Sequence, residues 1–528
     1  FVLNPSLEQA RESEFELVIA GAGGRVMEIE FEGMEASEDD LMAAVDFANA
    51  ANDKLVALQQ ELVDKVGKPK TQVPLVVPAP ELVQEIGSRV SAEIEQAVRA
   101  AEADAKEGAL FELKDKLAAS LATEYPDRAA EIDEVLEKLL KKQVRHGILE
   151  SGIRPDGRQL DEIRPIHCEV GLLPRVHGSG LFARGQTQVL TTLTLGSLDD
   201  AQIIDTLDED GEKRFMHFYN YPPFSNGEVK PLRGAGRREV GHGALAEKAL
   251  RSMIPAQEDF PYTLLLTSEV LESKGSTSMA STCGCTLALL DAGVQIKAPV
   301  AGISIGLVSD DSRNVLLTDI HAWEDFYGDM DFKVAGTRDG VTAIQVDTKL
   351  AGLNRDVVAQ ALAKAKTARF SILDKMAEAI DKPRANLSQY APRVFVVEIH
   401  PDKIGDVIGP GGKVIKKIEA ETGAKLDIEQ DGHVYITSVD AAGGERARKI
   451  VEDLTREVQV GEVYTGRVTR IEAFGAFVEI LPGRDGLVHI SQLARDRVNR
   501  TEDVCSLGDE LLVRVIEVGD DGKIRLTR

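Results

Sequence analysis

Residues 18–30 read VIAGAGGRVMEIE, and residues 334–346 read VAGTRDGVTAIQV. Each stretch pairs two short strand patterns across a glycine-containing turn. A helical pattern follows each, over about 38–63 and 354–380. One fold used twice accounts for both. The second copy extends back to about Ile148, whereas only residues 1–17 precede the first. This predicts that the chain begins inside its first copy and that 1–77 is the C-terminal remnant of it.

Outward from these hairpins the chain changes character several times. From Pro78 to about Gln143 it is rich in Ala, Glu, Lys and Leu, and Ile132, Leu136, Leu139, Leu140 and Val144 recur at helical spacing. This predicts an all-helical linker domain over 78–147, a solvated connector without chemistry of its own. Over 148–389 strands and helices alternate, as in an α+β domain. Strands are expected at Gln188–Leu195, Tyr262–Leu271, Gly302–Val308 and Asn314–Ile320, and helices at Val240–Met253, Met279–Ala292 and Asp356–Ile380. Pro392 marks a boundary. Residues 390–459 read strand, helix, Gly-rich turn, helix, two strands and a long helix. Residues 460–528 are short β runs with Gly turns, the pattern of a small barrel.

Bulk properties exclude several classes. The 528 residues are 43% hydrophobic, so ordinary cores can form. The net charge is −26, which argues against a protein that coats nucleic acid through its overall field. Recognition of a polyanion then requires focused basic patches. Four cysteines, Cys168, Cys283, Cys285 and Cys505, show no CxxC spacing and predict neither disulfides nor a zinc site, which fits a reducing cytoplasm. The longest apolar stretch, Leu287–Val308, is broken by Asp291, Gln295 and Lys297, so no membrane span is expected. The opening FVLNPSLEQA lacks the pattern of a signal peptide.

Chemistry concentrates in five segments. In GDMDFKV (328–334), strand alternation puts Asp329, Asp331 and Lys333 on one face, with Asp325 just upstream. Clustered carboxylates repel unless a cation lies between them, and oxygen ligands favour Mg²⁺ or Mn²⁺. The alternative is a solvated strand face with a Lys–Asp pair. In ESKGSTSMASTCGC (272–285) a strand runs through small residues into a helix. Backbone N–H groups, the helix N-terminus and the hydroxyls of Ser276, Thr277 and Ser278 suit an anion such as orthophosphate or a phosphodiester. The alternative is ordinary serine capping. In RGAGRREVGHG (233–243), Arg237 and Arg238 stand just before a helix, where positive side chains are disfavoured and a bound phosphate relieves the conflict. His242, one turn on, could donate a proton or a hydrogen bond.

The last two segments suit RNA. IGDVIGPGGK (404–413) places Gly409, Pro410, Gly411 and Gly412 between two short helices, the GXXG arrangement of a KH domain. There the backbone lies against about four nucleotides, with Lys413, Lys416 and Lys417 supplying charge. In GRVTRIEAFGAFVEI and GLVHIS, Phe474, Phe477 and His489 lie on or beside early strands of an OB-type barrel. Aromatic faces there stack on single-stranded bases, and Arg467 and Arg470 can serve phosphates.

The order of these pieces resembles the polynucleotide phosphorylase (polyribonucleotide nucleotidyltransferase) family. GIRPDGR (152–158) and LFARGQTQ (181–188) resemble the opening of its second RNase PH-like domain. RREVGHG (237–243), SKGSTSMAS (273–281) and GDMDFKVAGTRDG (328–340) resemble its active-site segments, and KH and S1 domains follow in family order. The resemblance implies an α+β multidomain chain. Its parts are an RNase PH-like core (ribosomal protein S5 domain 2-like), with the catalytic copy at 148–389, the helical linker, a KH domain at 390–459 and an OB-fold S1 barrel at 460–528.

It implies a 3′→5′ phosphorolytic exoribonuclease that degrades single-stranded RNA with inorganic phosphate to nucleoside 5′-diphosphates, reversibly, with a role in mRNA turnover. Thr277 and Ser278, with Ser276 alongside, would bind phosphate. Arg237 and Arg238 would hold the RNA 3′ end. Asp325 and Asp331 would ligate Mg²⁺, with Mn²⁺ as the alternative, and Lys333 and His242 would assist. Asp331, or a metal-bound water, is the candidate acid toward the departing 3′-oxygen. A homotrimer and partners in an RNA-degradation complex are implied as well. Residues 321–325 read His-Ala-Trp-Glu-Asp where the family commonly reads Leu-Gly-Asp-Glu-Asp, so Trp323 stands where an Asp is expected. Two other readings remain: an RNA-binding scaffold with an impaired core, and a metal-dependent hydrolytic exonuclease.

Overall fold

The two hairpins quoted above meet in one sheet. In the computed structural model, residues 1–74, 77–99, 103–207, 210–456, 458–481, 483–496, 498–519 and 523–528 are described. A short helix α1 (Leu7–Arg11) leads into β1 (Phe15–Ala22), β2 (Arg25–Ala36) and the long helix α2 (Glu38–Val66). The second copy supplies β12 (Met330–Gly336), β13 (Val341–Thr348) and α9 (Arg355–Ala379), so both strand–turn–strand–helix readings hold. β2 pairs antiparallel with β13, Phe31 opposite Ile344 and Ile29 opposite Val346. With β10 (Ala301–Ser309) and β11 (Asn314–Thr318), the six-stranded sheet has the order β1-β2-β13-β12-β10-β11. The two hairpins therefore join through their second strands. The inward residues Ile29, Phe31, Phe332, Val334, Ile344 and Val346 form one core with Val358, Ala361 and Ile372 of α9. Burial of each such side chain contributes about 1.5–3 kcal/mol.

A second sheet of five strands has the order β3-β4-β5-β9-β8. Its members are β3 (Ile166–Val170), β4 (Gly178–Arg184), β5 (Thr187–Gly196), β8 (Phe215–Asn220) and β9 (Thr263–Glu272); β6 (Gln202–Asp205) and β7 (Asp210–Lys213) form a separate two-stranded ribbon. Between the sheets runs α7 (Thr277–Ala292), every residue of it buried, packed against β4 on one side and β10 on the other. Helix α6 (Arg237–Arg251) covers β8 and α7. It starts three residues earlier than its apolar pattern suggests. Glu239 accepts a hydrogen bond from the Gly236 N–H at 3.0 Å, which moves the helix start ahead of the arginines. Arg237 and Arg238 thus sit in the first turn rather than before it.

The helical segment comprises α3 (Pro80–Arg99), α4 (Ala103–Glu124) and α5 (Ala129–His146), followed by a single π turn at Gly147–Ser151. It is more than a solvated connector. Its buried Ile132, Val135, Leu136, Leu140 and Val144 share a cluster with Val308, Leu317, Ile320, Trp323 and Tyr327. Arg145 of α5 also forms a two-pronged pair with Asp329, 2.7 and 2.9 Å. The segment buttresses the loop between β11 and β12 and its short helix α8 (Ala322–Tyr327).

By compactness the chain divides into two units, the second made largely of residues 390–528. In the second, β14 (Arg393–Glu398), α10 (Ile404–Ile408), α11 (Lys413–Thr422), β15 (Lys425–Ile428), β16 (His433–Ser438) and α12 (Ala441–Thr455) follow the expected order, with a sheet β14-β16-β15. The last strands, β17 (Val463–Glu472), β18 (Gly475–Leu481), β19 (Arg484–His489), β20 (Glu510–Val518) and β21 (Ile524–Thr527), close a barrel in the order β17-β18-β19-β21-β20. Among the described residues no helix is long and apolar enough to cross a membrane, and all four cysteines are free.

Candidate active site

The cradle predicted at 272–285 forms where β9 passes into α7. Ser276 has left-handed backbone angles, φ 53° and ψ 51°, a conformation that costs a non-glycine residue about 1–3 kcal/mol. It makes no side-chain capping bond, which removes the ordinary reason for a serine there. The hydroxyls of Ser276 and Ser278 are buried without a hydrogen-bond partner. Such groups normally find one. By position, the first N–H groups of α7 have no acceptor within the helix. Thr277 differs, since its hydroxyl is 2.6 Å from that of Tyr219. Gly275, at φ 106°, lies against the next loop: a Cβ there would meet the Ile320 carbonyl oxygen at 2.8 Å and the Ala322 nitrogen at 3.2 Å. The cradle loop and the loop carrying Asp325 thus touch backbone to backbone, and only glycine fits.

On β12, Asp331 and Lys333 share a face and are paired, Oδ2 to Nζ at 2.9 Å, both largely buried. This is not a solvated strand face. Asp331 Oδ1 is buried with no partner. Burial raises the Asp325 carboxyl above its usual range, and the nearby Asp331 charge adds to that, partly offset by Lys333, Lys349 and Arg238. Two oxygen-donor side chains that repel each other, one with an unsatisfied oxygen, match the needs of a hard divalent cation. Asp329 does not belong with them. It turns to Arg145 and to the Ser309 N–H at 2.8 Å, because it precedes the strand and faces the helical segment. Trp323 does not enter the site either: it is buried and stacked on Tyr327 at 5.4 Å. An Asp there would put a charge into an apolar cluster, so the departure from the family pattern belongs to packing.

A series of side chains leads away from the cradle loop. His242 Nδ1 lies 3.3 Å from the Tyr219 hydroxyl, which reaches Thr277. Burial lowers the His242 pKa to about 3, with Lys333 and Arg238 adding to the effect. The ring is therefore neutral at physiological pH, a hydrogen-bond donor rather than a source of a proton. Thr277, Tyr219 and His242 thus form one series, and the charge of Lys333, paired with Asp331, bears on the His242 ring. Arg237 and Arg238 are exposed at its rim, and the Arg238 guanidinium stands 5.4 Å above the Tyr221 ring. Tyr219 and Tyr221 were not singled out from the sequence. Their spacing of two in FYNYPP (218–223) was the available signal, since it places both on one face.

The two RNA-facing candidates lie in the second unit. Gly409, Gly411 and Gly412 all have positive φ, at 70°, 63° and 75°. A Cβ on Gly409 would strike Val414 at 2.3 Å, whereas Gly411 has open space around it. Lys413, Lys416 and Lys417 are exposed beside the loop. On the barrel, Phe474 is 48% exposed and meets Phe477 edge-on at 6.4 Å. Arg470 lies 4.0 Å above the Phe477 ring, and His489 pairs across from Gly475. Neither Phe belongs to the barrel core.

Buried, unpartnered hydroxyls and clustered carboxylates on an α+β core, with a GXXG unit and a small barrel, fit the class of RNA-processing phosphoryl-transfer enzymes. Comparison with known proteins agrees segment by segment. Residues 162–295 match the 3′ exoribonuclease family, domain 1, and 81–159 match the polyribonucleotide nucleotidyltransferase RNA binding domain. Residues 394–453 match the KH domain and 457–528 the S1 RNA binding domain. Polyribonucleotide nucleotidyltransferase of Geobacillus kaustophilus is 52% identical over 530 residues, covering 100% of this chain and 73% of its own length. Those of Heliobacterium modesticaldum and Halalkalibacterium halodurans are each 51% identical, covering 100% of the chain and 74% and 75% of their own lengths. The chain belongs to the polyribonucleotide nucleotidyltransferase family, and its activity is phosphorolytic 3′→5′ degradation of RNA. Enzymes of this family use metal ions.

Proposed function

We propose that Ser276, Thr277 and Ser278 hold the attacking orthophosphate, that Arg237 and Arg238 hold the RNA 3′ end, and that Asp325 and Asp331 hold Mg²⁺, with Mn²⁺ able to replace it. The observation that supports this assignment is that the Ser276 and Ser278 hydroxyls and Asp331 Oδ1 are buried without partners, while the Ser276 loop meets the loop leading to Asp325 at Gly275. Two anions must meet in line, so the main tasks are positioning and charge neutralisation. The cation, when bound, stabilises charge developing on the transferred phosphoryl group by several kcal/mol.

The protein's own groups do the rest. Ser276 and Ser278 direct hydroxyls, and the start of α7 directs N–H groups, at the phosphate oxygens. A phosphate oxygen attacks the terminal phosphorus, and the bond to the 3′-oxygen breaks. Lys333 offsets the charge of Asp331 and of the substrate. Neutral His242 donates a hydrogen bond. The attacking hydrogen phosphate gives up one proton and the departing 3′-oxygen takes one up, and Asp331 is assigned to relay it between them. The products are a nucleoside 5′-diphosphate and an RNA one nucleotide shorter, and the reverse step polymerises diphosphates.

The KH loop at Gly409, Gly411, Gly412 and Lys413 and the aromatic face of Phe474, Phe477 and His489 hold single-stranded RNA during successive steps. We further assign the domain limits 1–77, 78–147, 148–389, 390–459 and 460–528, and a role in mRNA turnover in the cytoplasm, alone or with RNA-degradation partners. As a homotrimer the protein has a solution mass three times that of the 57.2 kDa chain. The deciding experiment follows labelled phosphate with a short RNA. Ser278→Ala should raise the KM for phosphate and leave RNA affinity unchanged. Unlabelled monophosphates formed without phosphate would identify a hydrolase instead, and no product at all a scaffold.

A further inference from the structure

Beneath the cradle lies a buried charge network that the reaction does not touch. Asp319, fully buried, receives Arg164 in a two-pronged pair, Nε to Oδ2 at 2.8 Å and Nη2 to Oδ1 at 2.7 Å. Arg184 Nε lies 2.7 Å from Asp319 Oδ1, and Arg158 Nη1 lies 3.2 Å from Oδ2. Arg154 pairs with buried Glu324 at 2.6 Å and donates to the Asp319 carbonyl at 2.8 Å. With Asp156 on Arg158, four guanidiniums meet three carboxylates, so one positive charge is in excess. Burial opposes ionisation of Asp319, but Arg164 and Arg184 hold its carboxyl well below the usual carboxylate range.

The far ends of these arginines grip the cradle loop. Arg164 Nη1 donates to the Lys274 carbonyl at 2.8 Å, and Arg184 Nη2 donates to the Ser276 carbonyl at 3.1 Å. Thr187 joins them, its hydroxyl donating to the Gly275 carbonyl at 3.2 Å and accepting from the Lys274 N–H at 3.1 Å. Both residues bridged by Arg184, Ser276 and Asp319, have positive φ, two of the four non-glycine residues described with that geometry. Strain of this kind persists only where the surroundings over-determine it. Three carbonyls of one loop are bound by this network, while the hydroxyls of Ser276 and Ser278 stay unpartnered.

We propose that Arg164, Arg184 and Thr187, gathered by Asp319, are positioning residues for the attacking phosphate: they hold Ser276 in its strained conformation and supply uncompensated positive charge under the anion. This rests on the assignment of the cradle to phosphate. Because they touch the loop and not the substrate, their loss affects phosphate capture more than the chemical step.

The test measures phosphorolysis of a short RNA by the full chain at saturating RNA and varied phosphate. Arg184→Lys keeps the charge but loses the fork. Thr187→Val removes the two loop hydrogen bonds without burying a charge. Each should raise the phosphate KM by about tenfold, the scale of one lost hydrogen bond, with kcat within about twofold and RNA affinity unchanged. Thr187→Ser, which keeps the hydroxyl, should restore the phosphate KM. Ser278→Ala serves as the reference. If it leaves the phosphate KM unaltered, the cradle assignment itself falls. If Ser278→Ala raises it while Thr187→Val does not, the positioning role is overturned and the cradle stands. Should Arg184→Lys fail to fold, Thr187→Val with its serine rescue decides alone.

Discussion

The proposed phosphate cradle and the proposed RNA-holding surfaces would both meet phosphates, yet they are built in opposite ways. Around Ser278 and Asp331 the polar groups are buried, pre-aimed and in part unpartnered. At the GXXG loop the lysines are exposed, and on the barrel face Phe474 is exposed beside half-buried Phe477. The difference follows from the task. Charge that develops in a transition state is stabilised best by fixed dipoles in a dry site, which need no reorganisation. A strand that must advance one nucleotide at a time is better held by sequence-tolerant stacking and screened charge. The overall charge of −26 sharpens the contrast, because such patches are local exceptions to the field.

This contrast breaks if single changes fail to separate chemistry from holding. The largest effect is expected for Asp331→Asn, which should lower turnover by about 10³-fold or more while RNA binding in a filter or anisotropy assay stays at the wild-type value. Loss of both together would show that the acidic strand also maintains the RNA surfaces. Next comes Phe477→Ala. Base stacking is worth ~1–3 kcal/mol per base, so affinity for single-stranded RNA should fall by about 5–150-fold. Cleavage of a dinucleotide-scale substrate should persist; its collapse would make Phe477 a structural residue.

A smaller effect is expected for Gly411→Asp. Its open surroundings admit the side chain, and its positive φ is one that Asp tolerates. The added negative charge should weaken RNA binding by about threefold to tenfold at low salt and less at high salt. The smallest concerns His242. Its folded pKa, about 3, lies below the ordinary 6.5, so the unfolded chain binds the extra proton first. Stability is full above pH 6.5 and declines as pH falls from there towards 3. His242→Gln should show a shallower acid decline in thermal melts between those pH values. An unchanged slope would mean that the ring is solvated.

Much of this molecule is legible in its residues. The repeated hairpin, the GXXG loop between short helices and the closing barrel are local patterns, and local patterns follow from turn chemistry and strand or helix periodicity. Helix starts were less legible. Arg237 falls inside α6 because Glu239 reaches back to cap Gly236, a side-chain contact that apolar spacing does not encode. Asp329 shares a strand face with Asp331 in the sequence pattern, yet it serves Arg145, contributed by a helix far away in the chain. Trp323, suspicious on paper, is explained only by the apolar cluster that receives it.

The sequence by itself determined the order of the units, the types of secondary structure and the chemistry on offer at each segment, because these depend on neighbours along the chain. Only the tertiary structure decided which polar groups lost their water and their partners. The meeting of Thr277, Tyr219 and His242, and the gathering of Arg154, Arg158, Arg164 and Arg184 about Asp319 and Glu324, join residues distant in sequence. Desolvation and charge balance are set by everything packed around a group, so they exist only once the fold has closed over it.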